Sequence, residues 1–196
     1  WGFSDRRLTL ETVNVFNVLQ TLDGRVIFPY YDKSGEQVAR KTRSVDKKFS
    51  VEGDWKQAAL FGQNLFSKGG KFLTIVEGEF DAMSAYQMLG GRGCVVSIRN
   101  GAQSALSDCK AAYDWIDSFD KVVLCLDNDE PGREATKKIA ELFGSKALLF
   151  KHRDGFKDAS DWLSSRNERE WVDLWWKADQ FKPEGIVTIS DIKERL

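Results

Sequence analysis

The chain has 196 residues, 42% of them apolar, which is enough for one full domain or two small ones with a sizeable core. Its 29 Lys and Arg and 30 Asp and Glu residues give a net charge of −1, so the overall charge indicates no particular partner. No apolar run approaches the ~20 residues that a membrane span needs, and we expect no membrane partner.

The first 67 residues are predicted to form a small mixed α+β subdomain. Residues 24–31 (GRVIFPYY) are rich in β-forming side chains, DKSG then offers a turn, and QVARKTRS mixes apolar with basic residues. This order predicts a β-hairpin, in which Pro29 indicates an edge position or a bulge. Short helical pieces are expected through ALFGQNLF.

Residues 68–165 change to a regular alternation of strands and helices. FLTIV, CVVSI, KVVLCL and ALLF are predicted strands. Helices are predicted over residues 80–89, 107–119 and 131–143. This alternation predicts an α/β domain, with a mostly parallel central sheet flanked by helices.

Residues 166–196 are predicted to be a C-terminal helical segment and a linker. Trp171 and Trp175 share one helical face, which favours packing in a core or interface over a base-stacking platform. A further helix start is predicted at Ser190 and Asp191, close to the last residue, and the first residue is Trp1 rather than Met. We therefore expect a fragment of a longer chain.

The three cysteines and the one histidine narrow the possible chemistry. Cys94, Cys109 and Cys125 are widely spaced, lie in apolar contexts and form no CxxC pair. Such usage is typical of reduced, buried thiols in a reducing compartment. Because His152 is the single histidine and lies in a charged loop, we expect neither a Cys/His zinc site nor a Ser/His/Asp triad.

Three acidic clusters follow predicted strands, at or just beyond the point where each strand ends. VEGEFDA follows FLTIV, DNDEPG follows KVVLCL, and KDASD follows ALLF after a short loop. Each cluster alone could cap a helix. The carboxyl ends of parallel neighbouring strands meet, however, and carboxylates brought together there repel one another unless a cation lies among them. Three clusters in succession therefore favour a site for Mg²⁺, which prefers oxygen ligands.

Basic residues concentrate upstream of these acids. From Lys33 to Lys71 there are nine basic and four acidic residues, whereas from Glu77 to Glu130 there are four basic and ten acidic residues. This distribution fits a polyanion bound beside a metal site, although two ordinary solvated surfaces would look the same. The basic hairpin could likewise be an edge strand protected by its charge.

The order VEGEFDA, VVSIRNGA, LDNDEPG and KDASD resembles a Toprim domain, the metal-binding fold shared by bacterial-type primases, topoisomerases and some nucleases. Together with GRVIFPYYD, KTRSVDKKF and the Trp-rich end, the chain resembles the primase half of phage ring-shaped primase-helicases, relatives of the mitochondrial replicative helicase. The likeness covers most of the chain. It departs from that family where Asn100 replaces a histidine, and where the cysteines of an N-terminal zinc module are absent.

The resemblance implies DNA-templated synthesis of short RNA primers, in which a ribonucleotide 3′-hydroxyl attacks the α-phosphate of the next nucleotide. The catalytic acids, which would also bind metal, are Glu77, Asp127 and Asp129. Further metal-binding candidates are Asp81 and Asp158. The candidates for binding nucleotide or nucleic acid are Lys41, Arg43, Lys48 and Lys71.

The same resemblance implies two Mg²⁺ or Mn²⁺ ions as cofactors, with no zinc in this fragment. The implied partners are a single-stranded DNA template, ribonucleoside triphosphates and a helicase domain in a full-length, hexameric protein. The implied location is the cytoplasm of a phage-infected bacterium, with the mitochondrial matrix as the alternative. Two other functions remain open: a Toprim nuclease or topoisomerase-like DNA cleavage module, and a non-catalytic DNA-binding and assembly domain of a replicative helicase.

Overall fold

The structure, a computed structural model, describes residues 3–183, and its N-terminal part is a helix followed by an antiparallel sheet. Helix α1 spans Leu10–Val15. The sheet has the strand order β1-β2-β3-β4. Its strands are β1 (Leu19–Gln20), β2 (Val26–Tyr31), β3 (Gln37–Arg43) and β4 (Phe49–Gly53). This part matches the predicted mixed α+β composition.

The predicted hairpin is strands β2 and β3, which pair antiparallel from Val26 opposite Arg43 to Tyr31 opposite Gln37. Its pairing register shifts next to Pro29, between Tyr30 and Tyr31, which agrees with the predicted bulge. Strand β2 is not an edge strand, because β1 lies on its other side. The pairing with β1 is limited to the first two residues of β2, however, and stops before Pro29.

The second sheet has the strand order β6-β5-β7-β8-β9. Four of its strands are parallel: β5 (Gly70–Val76), β6 (Cys94–Ser97), β7 (Phe119–Cys125) and β8 (Ala147–Leu149). The fifth strand, β9 (Asp179–Gln180), pairs antiparallel with β8. The four strands predicted from the sequence, and their mostly parallel arrangement, are therefore confirmed.

Helices cover both faces of this sheet. They are α2 (Glu79–Met88), α3 (Ala105–Ala111), α4 (Tyr113–Ile116), α5 (Glu130–Phe143), α6 (Ala159–Ser164) and α7 (Glu168–Trp176). Alternate residues of β7 point to opposite faces: Val123 packs in the core that includes Met83 and Trp162, while Leu124 packs with Cys109 and Ile139.

One helix prediction is wrong at its boundaries. A single helix was predicted over residues 107–119, but the helical segment breaks at Ala112 and ends at Ile116. Phe119 belongs to β7, where it pairs with Gly70 of β5 and is buried. The chain must leave the helix before Phe119 because strand pairing and burial at that residue outweigh its helical spacing.

The tryptophan-rich helix α7 packs as predicted at two of its three indoles. Trp171 and Trp175 are buried in the core beneath β5 and β7, whereas Trp176 is 65% exposed. The helix start predicted at Ser190 and Asp191 lies outside the described residues. Within residues 3–183, no helix is both long and apolar enough to cross a membrane.

A shared core joins the two sheets. Phe28 of β2 contacts Phe61 and Phe80, with ring centroids 5.8 and 5.3 Å apart. Phe61 also forms a β-bridge with Ser97 at the end of β6. This packing places the basic hairpin beside the start of α2, where the first acidic cluster lies. The domain boundaries proposed from the sequence, 1–67, 68–165 and 166–196, stay predictions.

Candidate functional site

Three aspartates from three elements converge at the carboxyl end of the parallel sheet. Asp81 lies in the first turn of α2, Asp127 follows β7, and Asp158 is the N-cap of α6. One carboxylate oxygen from each lies within 4.8 Å of the other two. The pairing of Val76 with Cys125 at the ends of β5 and β7 explains the convergence. This acid triad, Asp81, Asp127 and Asp158, could bind one divalent metal ion.

The triad is electrostatically strained in the absence of a cation. Burial raises the pKa of Asp127 to about 7, and the charge of Glu77 adds to this effect. Burial, followed by the charges of Asp158 and Asp127, raises the pKa of Asp81 well above its usual value. The pKa of Asp158 is raised as well, again chiefly by burial. A cation among these carboxylates would relieve both the desolvation and the repulsion, so the donor set fits a divalent ion.

Glu77 follows β5 directly, and its two carboxylate oxygens have different surroundings. Its Oε1 accepts a hydrogen bond from the backbone N–H of Ala102 at 3.1 Å. Its Oε2 is buried and has no hydrogen-bond partner among the described residues. Burial raises the pKa of this carboxyl. Glu77 lines the same cavity as the acid triad but lies outside the group of oxygens within 4.8 Å of one another, so its role as a metal ligand stays a prediction.

Asp129 has a different environment from the triad. It is the N-cap of α5, where its Oδ1 accepts from the backbone N–H of Gly132 at 3.0 Å. That hydrogen bond, together with the nearby Lys157, lowers the pKa of Asp129. Asp129 therefore caps a helix in this structure, and its role as a metal ligand stays a prediction.

Lys157 is the counter-charge of the two loop aspartates. Its Nζ lies 3.1 Å from Asp127 Oδ2 and 3.3 Å from Asp129 Oδ2. These contacts raise the pKa of Lys157, so it is charged at neutral pH. Its backbone carbonyl accepts from the N–H of Asn128 at 2.7 Å, which docks the loop after β8 onto the loop after β7. Sequence reasoning missed Lys157, although it is the first residue of KDASD.

A buried ion pair ties the basic hairpin to α2. Lys41 Nζ lies 2.7 Å from Glu79 Oε1, and the Tyr30 hydroxyl donates to the same oxygen at 2.6 Å. The Lys41 ammonium also donates to the backbone carbonyl of Arg99 at 2.8 Å. Lys41 thus reaches the site, but as part of the wall that holds the start of α2 in place.

Two arginines flank the acid triad. The guanidinium carbons of Arg43 and Arg6 lie 5.4 and 4.1 Å from the centroid of the Phe80 ring. Arg6 also donates to Ser160 Oγ at 2.7 Å. Sequence reasoning missed Arg6, which belongs to no motif. Together these side chains enclose an open cavity of about 550 Å³, which is also lined by Lys41, Glu77, Glu79, Asp81, Asn100, Asp127, Lys157 and Asp158.

The structure does not bring Lys48 and Lys71 to this cavity. Lys48 lies in the turn between β3 and β4, where it is highly exposed and pairs with Asp46 at 2.7 Å. Lys71 is the second residue of β5, whereas Glu77 follows the last. At ~3.3 Å per residue the two are about 20 Å apart, at opposite ends of the strand. Lys71 lies instead in a groove with Trp175 and Trp176.

Acids gathered at the carboxyl ends of parallel strands, beside a helix that starts directly after the first of them, define the Toprim class. Residues 74–163 match the family model described as Toprim-like. The DNA helicase/primase of Enterobacteria phage T3 is 31% identical over 180 residues, covering 91% of this chain and 31% of that protein.

Two phage T7 structures share the fold over nearly the whole chain. The primase fragment of the bacteriophage T7 primase-helicase has a TM-score of 0.81 and 30% identity, with 89% of this chain and 74% of that chain covered. The second contains T7 lagging-strand DNA polymerase with primase domains of two gp4 subunits bound to an RNA/DNA hybrid and dTTP. Its TM-score is 0.84 at 29% identity, with 92% of each chain covered. The chain belongs to the family of primase domains found in phage-type primase-helicases.

Proposed function

We propose that this chain synthesises short RNA primers on a DNA template, by attack of a ribonucleotide 3′-hydroxyl on the α-phosphate of the next nucleotide. One observation carries the proposal: a single cavity holds the acid triad and the basic side chains of Arg6, Arg43 and Lys157. A nucleoside triphosphate requires that combination, because it arrives with a divalent cation and carries several negative charges.

The proposed ions are Mg²⁺ or Mn²⁺, two of them, held by the acid triad together with Glu77 and Asp129. The open Oε2 of Glu77 and the raised pKa values of the triad support this ligand set. When bound, such ions lower the pKa of the attacking hydroxyl and neutralise charge that develops on the phosphates.

The protein side chains position the substrate and balance its charge. Arg6 and Arg43 present planar guanidinium groups, which can make two-point contacts with phosphate oxygens. Lys157 neutralises Asp127 and Asp129 until an ion or a nucleotide arrives. The Lys41–Glu79 pair fixes the first turn of α2, and with it the position of Asp81.

The template proposed for this chain is single-stranded DNA, and the substrates are ribonucleoside triphosphates. The chain spans 31% of the length of the phage T3 helicase/primase, so we propose a helicase domain as a partner within a longer, hexameric protein. We place the activity in the cytoplasm of a phage-infected bacterium, with the mitochondrial matrix as the alternative location.

The experiment is dinucleotide synthesis from labelled nucleotides on single-stranded DNA, with Mg²⁺ or Mn²⁺. Asp127→Asn should abolish the product without lowering the melting temperature. Asp120→Asn is the matched control, because Asp120 is an exposed residue of β7, the strand that leads to Asp127, and lies outside the cavity. Equal yields from both variants would refute the proposal. It would also be refuted if neither the wild-type chain nor a longer natural form of it gave any product.

No observation favours the two other functions. A topoisomerase-type reaction needs a nucleophilic tyrosine, and no tyrosine lines the cavity in the part of the chain that the structure describes. The hydroxyl of Tyr30, which is buried nearby, is engaged by Glu79. Metal-dependent nicking of plasmid DNA that is lost in Asp127→Asn would establish a nuclease instead. DNA binding that is indifferent to that substitution, without synthesis, would establish a non-catalytic domain.

A further inference from the structure

The only histidine of the chain sits behind the acid triad with both ring nitrogens engaged. His152 Nδ1 accepts a hydrogen bond from Trp162 Nε1 at 3.0 Å, and its Nε2 lies 2.9 Å from the carbonyl oxygen of Leu126. An indole N–H can only donate and a carbonyl can only accept. The ring must therefore be neutral, with its proton on Nε2, for both bonds to form together.

The two partners of His152 are each attached to one member of the triad. Leu126 immediately precedes Asp127, and Trp162 lies four residues after Asp158, one turn further along α6. Leu126 and Trp162 are buried, so neither can exchange these hydrogen bonds for water without opening the core. One imidazole ring thus links the end of β7 to the helix that begins at Asp158.

A second contact, besides His152, joins the loop after β7 to the loop that leads into α6. On the cavity side, the N–H of Asn128 donates to the carbonyl of Lys157 at 2.7 Å. On the core side, the Trp162 ring is fixed by stacking on Phe156, with centroids 3.8 Å apart. The carboxylates between these two restraints repel one another, so a weaker restraint would let the loops separate.

The electrostatics keep the ring in the form that these bonds require. Burial lowers the pKa of His152 to about 4, so the imidazole is neutral at neutral pH. His152 is half-buried, whereas its neighbours Lys151 and Arg153 are charged and exposed, so the sequence gives no sign of its contacts.

We propose that His152 is a positioning residue that sets the separation of Asp127 and Asp158, and thereby the affinity of the acid triad for a divalent cation. His152 does not line the cavity. Its effect passes through the Leu126 carbonyl and the Trp162 indole. This inference deepens the proposed function, since it rests on the triad being the cation site.

The test measures Mn²⁺ binding to the complete chain, from the electron paramagnetic resonance signal of the free ion. His152→Phe removes both hydrogen bonds while keeping an aromatic ring against Phe150, whose centroid is 4.8 Å away. His152→Asn keeps an acceptor towards Trp162, and His152→Gln keeps a donor towards Leu126. We expect the Mn²⁺ dissociation constant to rise about 10-fold in His152→Phe, as for other residues that orient ligands, and less in the two partial variants.

The matched control is Thr74→Val, which removes another buried hydrogen bond of a tryptophan. Thr74 Oγ1 accepts from Trp175 Nε1 at 3.0 Å, and neither residue lines the acid cavity. Thr74→Val should lower the melting temperature and leave Mn²⁺ binding unchanged. It thus separates a general loss of stability from a change at the cation site.

An unchanged Mn²⁺ dissociation constant in His152→Phe, with a melting temperature lowered as in the control, would overturn the inference. If His152→Phe does not fold, unchanged Mn²⁺ binding in both His152→Asn and His152→Gln would overturn it equally. A wild-type chain that binds Mn²⁺ but makes no primers would refute the proposed function alone. A wild-type chain that binds no Mn²⁺ at millimolar concentration would refute this inference directly.

Discussion

Lys41→Met should destabilise the protein far more than the loss of an ordinary surface charge. Lys41 and Glu79 are 11% and 6% exposed, and their charged atoms are 2.7 Å apart. Methionine keeps most of the apolar stem but removes the ammonium. Glu79 would then remain buried, with the Tyr30 hydroxyl as its hydrogen-bond donor but no opposite charge beside it.

The magnitude follows from the burial of the pair. Coulomb's law at that distance, with an effective dielectric constant of about 20, gives a gross attraction of about 6 kcal/mol. Desolvation of the two ions offsets much of this, but removal of one partner leaves that penalty on the other. We therefore expect Lys41→Met to lower the free energy of unfolding by about 3–5 kcal/mol.

The assay is urea unfolding at pH 7.5, followed by tryptophan fluorescence. Arg40→Met is the control, because Arg40 is the preceding residue of β3 and pairs with Glu52 at the surface, where the side chains are 52% and 59% exposed. It should cost less than about 1 kcal/mol. The double variant Lys41→Met/Glu79→Gln should cost less than the sum of its single changes. Equal losses from Lys41→Met and Arg40→Met would refute the reasoning.

Three further outcomes are expected. On going from pH 7 to pH 5, His152→Asn should lose less stability, or gain more, than the wild type, because below about pH 6.5 the unfolded chain takes up a proton on His152 that the folded ring, with its pKa lowered to about 4, resists. The Asp127 carboxyl, with its pKa raised to about 7, acts in the opposite direction in both proteins, so the change in urea midpoint is compared between the two. Gly132→Ala should lower the melting temperature strongly, because its Cβ would clash with the carbonyl oxygen of Asp127; an unchanged melting temperature would contradict that close approach. Mn²⁺ should raise the melting temperature of the wild type but not that of Asp127→Asn. At an Mn²⁺ concentration of 100 times the dissociation constant, the bound ion should add about 2.7 kcal/mol to the free energy of unfolding.

The parts of the site that sequence alone predicts are those determined by local order. Glu77 follows β5 directly and Asp127 follows β7 after one residue, and parallel neighbouring strands bring such residues together whatever the rest of the chain does. Asp81 follows Glu77 by four residues, so a helix starting between them was enough to place it near the same edge.

The parts that sequence reasoning missed depend on distant contacts. Arg6 meets Ser160 across 154 residues, and no periodicity or spacing connects them. The hydrogen bonds of His152 likewise depend on Trp162 and on Leu126 at the end of β7, not on its charged neighbours.

One prediction stays untested and one is wrong. The nucleotide-binding role that the resemblance implies for Lys71 stays a prediction, although Lys71 lies near the start of β5 and Glu77 follows its end. The helix predicted to reach Phe119 had the right spacing, but pairing with Gly70 draws that residue into β7. Helical spacing alone could not show which of the two structures would win there.

The assignment of catalysis to the acid triad is tested most directly by dinucleotide synthesis over a range of Mg²⁺ concentrations, in the wild type and in Asp158→Asn. The control is Asp154→Asn, an exposed aspartate in the loop that leads to Asp158 and outside the cavity. Asp158→Asn should need far more Mg²⁺ for half-maximal synthesis, or give no product, while Asp154→Asn matches the wild type. Identical Mg²⁺ dependence in all three proteins would contradict a cation site at Asp81, Asp127 and Asp158.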